Sequence, residues 1–250
     1  MIRIGPAGIG GKKEAISNLE YYKKNNITAT EVAFTYGIYL KENDAIKIGN
    51  KAKQLDIKLS VHAPYWINLN SKEKIKIKAS KERILKAAKT AEKLQATPVV
   101  FHPGYYGKFT KEQTYENIKN QIINLKKQTK IKLAPETMGK VNVFGNSQEI
   151  LNLVKDTNCS FCLDFAHLFA RNQGKTTYKE ILKPFKKFKH IHAHFSGIEY
   201  SAKGERRHKP TPEKEIEKLM KVIKKSKINF TIINESPNDV NDAIKMIKYL

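Results

Sequence analysis

The run Cys162-Leu163-Asp164-Phe165-Ala166-His167 is apolar and strand-like, then ends in an acid with a histidine three residues later. Residues on one side of a strand are two apart, so Asp164 and His167 cannot share a strand face. The spacing predicts a strand that ends at the Asp and turns before the His. A carboxylate and an imidazole at a strand's carboxyl end are potential metal ligands. Five other segments end alike: Lys58 to His62, Pro98 to Phe101 before His102, Lys132 to Pro135 before Glu136, Lys189 to Phe195 around His194, and Phe230 to Asn234 before Glu235. A single histidine at a strand end is ordinarily a hydrogen-bonded structural residue, but six strands that end in this way point to a common site. Imidazole and carboxylate without cysteine suit zinc or manganese, and bridging carboxylates allow more than one ion. Several ions together are the usual equipment for phosphoester hydrolysis, because they generate hydroxide near neutral pH and neutralise charge on the leaving oxygen.

Further candidates carry less weight. The segment Gly204-Glu205-Arg206-Arg207-His208 reads as a loop on the same rim, with Glu205 and His208 as additional ligands. His190 and His192 lie deeper along the seventh strand and read as interior or structural. Glu31 is unusual inside a strand; pointing into a barrel it must be paired or hydrogen-bonded, as a site residue or a satisfied interior carboxylate.

These side chains need elements to bring them together. Strands are expected at Ile2 to Gly5, Thr30 to Thr35, the six segments above, and helices at Glu14 to Lys24, Lys41 to Leu55, Lys72 to Leu94, Glu112 to Gln128, Ser147 to Asp156, from about Tyr178, Pro212 to Lys225 and Asp239 to Leu250. Eight alternations of strand and helix imply parallel strands joined by helical crossovers, and eight strands close a barrel. The expected fold class is therefore α/β, a single (β/α)8 TIM barrel over residues 1–250, with the metal site at the C-terminal rim of the strands.

The net charge of +23, from 47 Lys and Arg against 24 Asp and Glu, favours a polyanionic partner. A lysine-rich composition is also what an AT-rich genome imposes, so the charge is supporting evidence only. Cys159 and Cys162 form a lone C-x-x-C inside an apolar strand, which reads as two buried small hydrophobes in a reducing, cytoplasmic setting. The glycine-rich Gly5 to Lys13 is no phosphate-binding loop, since Pro6 stands where the first glycine is needed and Lys13 where a Ser or Thr is needed. No apolar run approaches the roughly 20 residues that cross a membrane, and the chain enters a strand at Ile2 without a leader-like segment.

Taken in order, Val61-His62-Ala63-Pro64-Tyr65 with Ile67-Asn68-Leu69, Phe101-His102-Pro103-Gly104, Pro135-Glu136-Thr137, Cys162-Leu163-Asp164 with His167, His192-Ala193-His194, and Asn234-Glu235-Ser236-Pro237 resemble the endonuclease IV family of apurinic/apyrimidinic endonucleases, within the xylose-isomerase-like barrels. The resemblance spans nearly the whole chain and implies three zinc ions. By matching position, His62, His102 and Glu136 would hold one; Glu136, Asp164, His194 and Glu235 a second, bridged through Glu136; and His167, Glu205 and His208 a third. Two positions depart from the family. Arg206 stands two residues before His208, where the family commonly has Asp, so Glu205 is a substitute ligand, and Phe195-Ser196-Gly197 replaces an Asn-Asp pair.

The resemblance implies hydrolysis of the DNA phosphodiester on the 5′ side of an abasic site to leave a 3′ hydroxyl, with 3′ end-trimming. Glu136 would be the catalytic residue, holding the first two ions together. The expected partner is double-stranded DNA with abasic sites or blocked 3′ ends, bound by a monomer. Tyr65 and Trp66 are candidate wedges for the gap in the base stack, Tyr65 by its match to a family residue, with core packing as the competing view. Arg206 and Arg207, with lysines 72, 74, 76 and 78, are candidates for backbone phosphates. A divalent-metal sugar isomerase or epimerase on the same barrel, and a catalytically inactive DNA-damage binding module, are the rival readings.

Overall fold

In the computed structural model, which describes residues 1–250, eight parallel strands alternate with helices. The strands are β1 (Ile2–Pro6), β2 (Ala29–Ala33), β3 (Lys58–His62), β4 (Val99–Phe101), β5 (Leu133–Pro135), β6 (Cys162–Asp164), β7 (His190–Phe195) and, after a hairpin of β8 (Gly197–Ser201) and β9 (Gly204–Lys209), β10 (Asn229–Asn234). Hydrogen-bonded ladders run in the orders β2-β3-β4-β5 and β1-β10-β7-β6. Further hydrogen bonds join these half-barrels at two seams. At one, the Thr28 N–H donates to Ile4 O at 3.1 Å, and the Thr30 hydroxyl donates to Pro6 O at 3.0 Å and Gly8 O at 2.9 Å. At the other, Glu136 bridges Cys162, and the Asp164 N–H donates to the Thr137 hydroxyl at 2.8 Å.

The crossover helices are α1 (Ala15–Lys24), α2 (Glu42–Gln54), α3 (Lys74–Leu94), α4 (Lys111–Lys126), α5 (Ser147–Thr157), α6 (Phe165–Arg171) with α7 (Tyr178–Leu182), α8 (Glu213–Ser226) and α9 (Asp239–Ile247). The longer ones bury an apolar stripe against the outside of the barrel; α8 uses Ile216, Leu219, Met220 and Ile223, at the spacing of one helical face. Thr110 and Asn146 form capping boxes with Gln113 and Glu149, which fix where α4 and α5 begin and hence how the preceding loops leave the rim. No helix is long and apolar enough to cross a membrane.

One local expectation is borne out and one is corrected. The strand ends at Asp164 and the chain turns there, and the turn is the start of α6: the Asp164 carboxylate accepts the His167 N–H at 2.6 Å. That acid signals a strand end and a helix start together, because an Asp side chain satisfies an otherwise unpaired first-turn donor. Residues 204–208 are not a loop, but the returning strand of the β8–β9 hairpin, with Ile198 opposite His208. Short, charged, two-stranded ribbons have little hydrophobic alternation to betray them.

The β1/β2 seam depends on Gly5, where an added Cβ would sit 1.5 Å from the Ala29 carbonyl oxygen. Backbone cannot yield as a flexible side chain would. Gly5→Ala is therefore expected to cost about 3 kcal/mol, at the upper end for overpacking. For a chain of this size that lowers Tm by roughly 6–12 °C in thermal denaturation; an unchanged Tm would show that the seam is not held by this close approach.

Candidate metal centre

The barrel strands deliver His62 and Asp164 from their closing residues, His194 from the residue before the end of β7, and His102, Glu136 and Glu235 from the residue just beyond. Glu136 lies at the middle of them, fully buried. Its Oε2 is 3.4 Å from His62 Nε2 and 3.1 Å from His102 Nε2. Its Oε1 is 3.1 Å from His194 Nδ1 and 3.3 Å from His167 Nδ1. Glu235 Oε2 approaches His194 Nδ1 at 3.3 Å from the other side. Donor atoms lie within 4.8 Å of one another in four groups: three at the rim, namely His62, His102 and Glu136; Glu136, Asp164, His194 and Glu235; and His167, Glu205 and His208; and a fourth, Cys162 with His192 and His194, buried in the barrel interior. Those groups contain every ligand candidate read from the sequence.

Hydrogen bonds behind the rings decide which nitrogens face the site. His62 Nδ1 is 2.7 Å from Ala63 O and His167 Nδ1 is 2.9 Å from Thr137 O, so both Nδ1 atoms are turned to the backbone and both Nε2 atoms face the site. His208 Nδ1 is likewise engaged, by Ser196 Oγ at 3.0 Å and Glu235 O at 3.2 Å. That leaves His167 Nε2 and His208 Nε2 facing each other at 3.4 Å, with Glu205 Oε2 also 3.4 Å from the former. Two imidazole lone pairs so close repel unless a proton or a cation stands between them. Asp164 Oδ2 is buried without a hydrogen-bond partner. An orphaned carboxylate oxygen and opposed imidazoles among further carboxylates fit divalent cations of the kind that take N and O ligands.

The charges reinforce this. Burial alone raises the Glu136 pKa, but His194 and His167 outweigh it and hold the carboxyl well below the usual range. Burial would lower His167, yet Asp164, Glu205 and Glu136 keep it well above the ordinary imidazole value. Asp164 itself is pushed up to about 6 by burial, against the pull of His167. The pocket thus draws positive charge inward, and protons hold places that a metal ion would take by displacing them.

Glu205 reaches the third group because the hairpin is pinned to the loop after β5. The Glu205 N–H donates to Gly139 O at 3.2 Å, and Lys140 bridges Gly204. Arg171 of α6 fastens that loop from beneath, donating to the carbonyls of Lys140 at 2.6 Å and Val143 at 2.9 Å. Neither Gly139 nor Arg171 was among the residues the sequence singled out. A glycine before a charged hairpin and an arginine one turn beyond His167 are too common to be read as signals.

An open cleft of about 400 Å³ lies over the centre, lined by His62, Tyr65, His102, His167, Glu205, His208 and Glu235 among others. Tyr65 is 52% exposed and stacks on His102, with ring centroids 5.6 Å apart and planes at 22°. Trp66 is 63% exposed, so neither ring is a core residue. Arg206 and Arg207 lie away from the cleft lining and pair with Glu199 at 3.2 Å and 2.8 Å. Lysines 72, 74, 76 and 78 are exposed on or beside α3. His190 is exposed at the far end of β7, bonded to Thr231, while Cys159 and Cys162 are buried and unbridged.

Residues 19–250 match the family model for the xylose isomerase-like TIM barrel, so the chain belongs to that family. Within it, the chain is 36% identical to an uncharacterised protein of Methanocaldococcus jannaschii, over 99% of this chain and 96% of that one. The likeness to the endonuclease IV group also stands: an apurinic-apyrimidinic endonuclease of Caenorhabditis elegans is 33% identical over 135 residues, 50% of this chain and 34% of the relative. A probable endonuclease 4 of Mycoplasmopsis pulmonis is 29% identical over 58% of this chain and 52% of its own. The chain thus aligns with about half, or less, of each of these endonuclease relatives. Endonuclease IV from Thermus thermophilus superposes with a TM-score of 0.68 at 18% identity, over 99% of this chain and 97% of that one. A D-psicose 3-epimerase from Clostridium cellulolyticum does so with 0.66 at 14%, over 94% and 91%. At such identities both report the shared barrel alone.

The hairpin's seat is open to test. An added Cβ at Gly204, whose φ is +88°, would sit 2.2 Å from Gly139 O. Gly204→Ala is expected to speed amide exchange at Glu205 by about tenfold or more, as local opening of the Gly139 contact becomes easier. Unchanged exchange would mean that the hairpin is held elsewhere.

Proposed function

We propose that this protein is a zinc-dependent DNA repair endonuclease that hydrolyses the phosphodiester 5′ to an abasic site, leaving a 3′ hydroxyl, and that it trims blocked 3′ ends. The observation that carries the reading is the set of three rim ligand groups, two of them sharing the carboxylate of Glu136, beneath an open cleft lined by the exposed ring of Tyr65. In this reading His62, His102 and Glu136 hold one ion; Glu136, Asp164, His194 and Glu235 a second; and His167, Glu205 and His208 a third, with manganese as the alternative metal. When bound, the ions supply an activated water nucleophile and neutralise charge on the phosphate and the leaving oxygen.

The chain's own residues do the remaining work. Glu136 keeps two of the ligand groups in contact, and the hairpin brings Glu205 and His208 over the same cleft. Tyr65 and Trp66 occupy the gap that an extruded abasic nucleotide leaves in the stack; such a nucleotide is the easiest to flip because it has no base pair to lose. Arg206 and Arg207 exchange Glu199 for backbone phosphates, and the lysines on α3 add to the attraction for polyanions.

A sugar epimerase has the same barrel, as in the D-psicose 3-epimerase superposition. The third ligand group and the net charge of +23 suit a phosphodiester in a polyanion better than a neutral sugar. Incision of a duplex with one abasic-site analogue separates the two. The wild type is expected to cut on the 5′ side, chelation to abolish cutting and zinc to restore it. Glu136→Gln is expected to lower the rate by more than about a hundredfold, beyond what loss of an outer-shell partner costs. A metal-loaded wild type that leaves the duplex intact would remove the nuclease reading.

The wedge has its own check. Because Trp66 is exposed, Trp66→Ala is expected to change stability by no more than about 0.5 kcal/mol. Affinity for the abasic duplex should fall by about 1–3 kcal/mol, the value of one stacked base. Equal affinities for abasic duplex in a binding titration would assign Trp66 no part in recognition.

A further inference from the structure

Below the ligand groups, the barrel interior holds a row of polar side chains where barrels of this kind ordinarily carry Val, Ile and Leu. Glu31 of β2 is at its centre, with no solvent exposure. Its Oε2 accepts the Ser60 hydroxyl at 2.7 Å and lies 3.2 Å from His192 Nε2. Its Oε1 is 3.0 Å from His194 Nε2, off the line of a well-aligned hydrogen bond, and neither of these two atoms has another partner. A buried carboxylate is costly to the fold, and replacing such a group by apolar side chains is often neutral or stabilising. Stability alone therefore gives no reason for an acid here.

His194 gives one. Its other nitrogen, Nδ1, faces Glu136 Oε1 at 3.1 Å and Glu235 Oε2 at 3.3 Å. His62, His102, His167 and His208 all bring Nε2 to the groups, and His62, His167 and His208 anchor Nδ1 on a carbonyl or hydroxyl. His194 is turned the other way round, and only a group beneath it in the barrel can hold that orientation. A histidine that binds metal through one nitrogen ordinarily donates its other N–H to a carboxylate or carbonyl, which fixes tautomer and ring angle and raises ligand basicity. Glu31 stands in that place, reaching across the interior from a strand three places from β7 in the barrel order, and Ser60 and His192 keep its second oxygen still.

We infer that Glu31 is the positioning residue for His194: it keeps the proton on Nε2 and presents Nδ1 to the ligand group formed with Glu136, Asp164 and Glu235. The inference rests on the metal reading of that group but not on the substrate. It concerns a residue outside the three groups.

The test uses the full chain, stripped with chelator, then titrated with Zn²⁺ or with Co²⁺ as a visible-absorbing probe, in the wild type, Glu31→Gln and Glu31→Ala. Glu31→Ala is expected to lower affinity for the ion about 10–100-fold and to alter the Co²⁺ absorption bands, as loss of an outer-shell partner does. Glu31→Gln should fall between, because its amide oxygen still accepts the His194 proton but carries no charge. A merely structural role would lower Tm equally with and without metal and leave affinity unchanged. Folded variants with wild-type affinity and bands overturn the proposal; if Glu31→Ala fails to fold, Glu31→Gln decides alone. A wild type that takes up no ion overturns both this role and the metal reading. A wild type that binds ions but spares abasic DNA removes only the proposed substrate, and the affinities still decide the role of Glu31.

Discussion

Four imidazoles converge on one buried carboxylate, and the rest of the molecule is arranged so that they can. Glu136 has no solvent exposure and has rings within 3.1–3.4 Å of its two oxygens, from β3, the loop after β4, α6 and β7. A charge so placed is tolerated only if positive charge answers it. His167 and His194, both held well above the ordinary imidazole value, against the effect of burial, by the acidic groups around them, supply that as protons, in places that metal ions would take. Asp164 Oδ2, buried without a hydrogen-bond partner, marks the same deficit from another side. The centre is therefore unsatisfied as a piece of packing and coherent as a piece of chemistry.

The architecture around it divides the labour. Hydrophobic burial lies mainly outside the strands, between barrel and helices, which leaves part of the interior free for Glu31, Ser60, His192 and His194. Gly5 and the threonines at the seams allow two half-sheets to close round that polar column. The β8–β9 hairpin, inserted after the seventh barrel strand, brings Glu205 and His208, a second layer of candidate ligands, over the rim. It is held by backbone pairing with the loop after β5, which Arg171 ties down in turn.

Much of this was legible in the sequence, for definite reasons. Parallel barrel strands are short apolar runs, and a charged residue at the end of such a run stands out, so His62, His102, Glu136, Asp164, His194 and Glu235 could be found from pattern alone. The grouping into three came with the family resemblance, and the side-chain geometry places the same residues together. What escaped was set by contacts distant in sequence. That residues 204–208 pair as a strand depends on Gly197–Ser201 and on Gly139, and no periodicity in so short and charged a segment reports it. The helix at Phe165 is only seven residues long, too short for a hydrophobic stripe to show. Glu31 was visible as an oddity, but its partners His192 and His194 lie more than 160 residues away.

The central claim is that the three rim donor groups are metal sites built round Glu136. Anomalous X-ray scattering at the zinc edge, from crystals of the purified protein equilibrated with zinc, addresses it most directly. The account predicts peaks within bonding distance of His62 with His102, of Asp164 with His194 and Glu235, and of His167 with Glu205 and His208, the first two sharing Glu136. Zinc found only at surface carboxylates, with the Glu136 centre holding no anomalous peak, would contradict it.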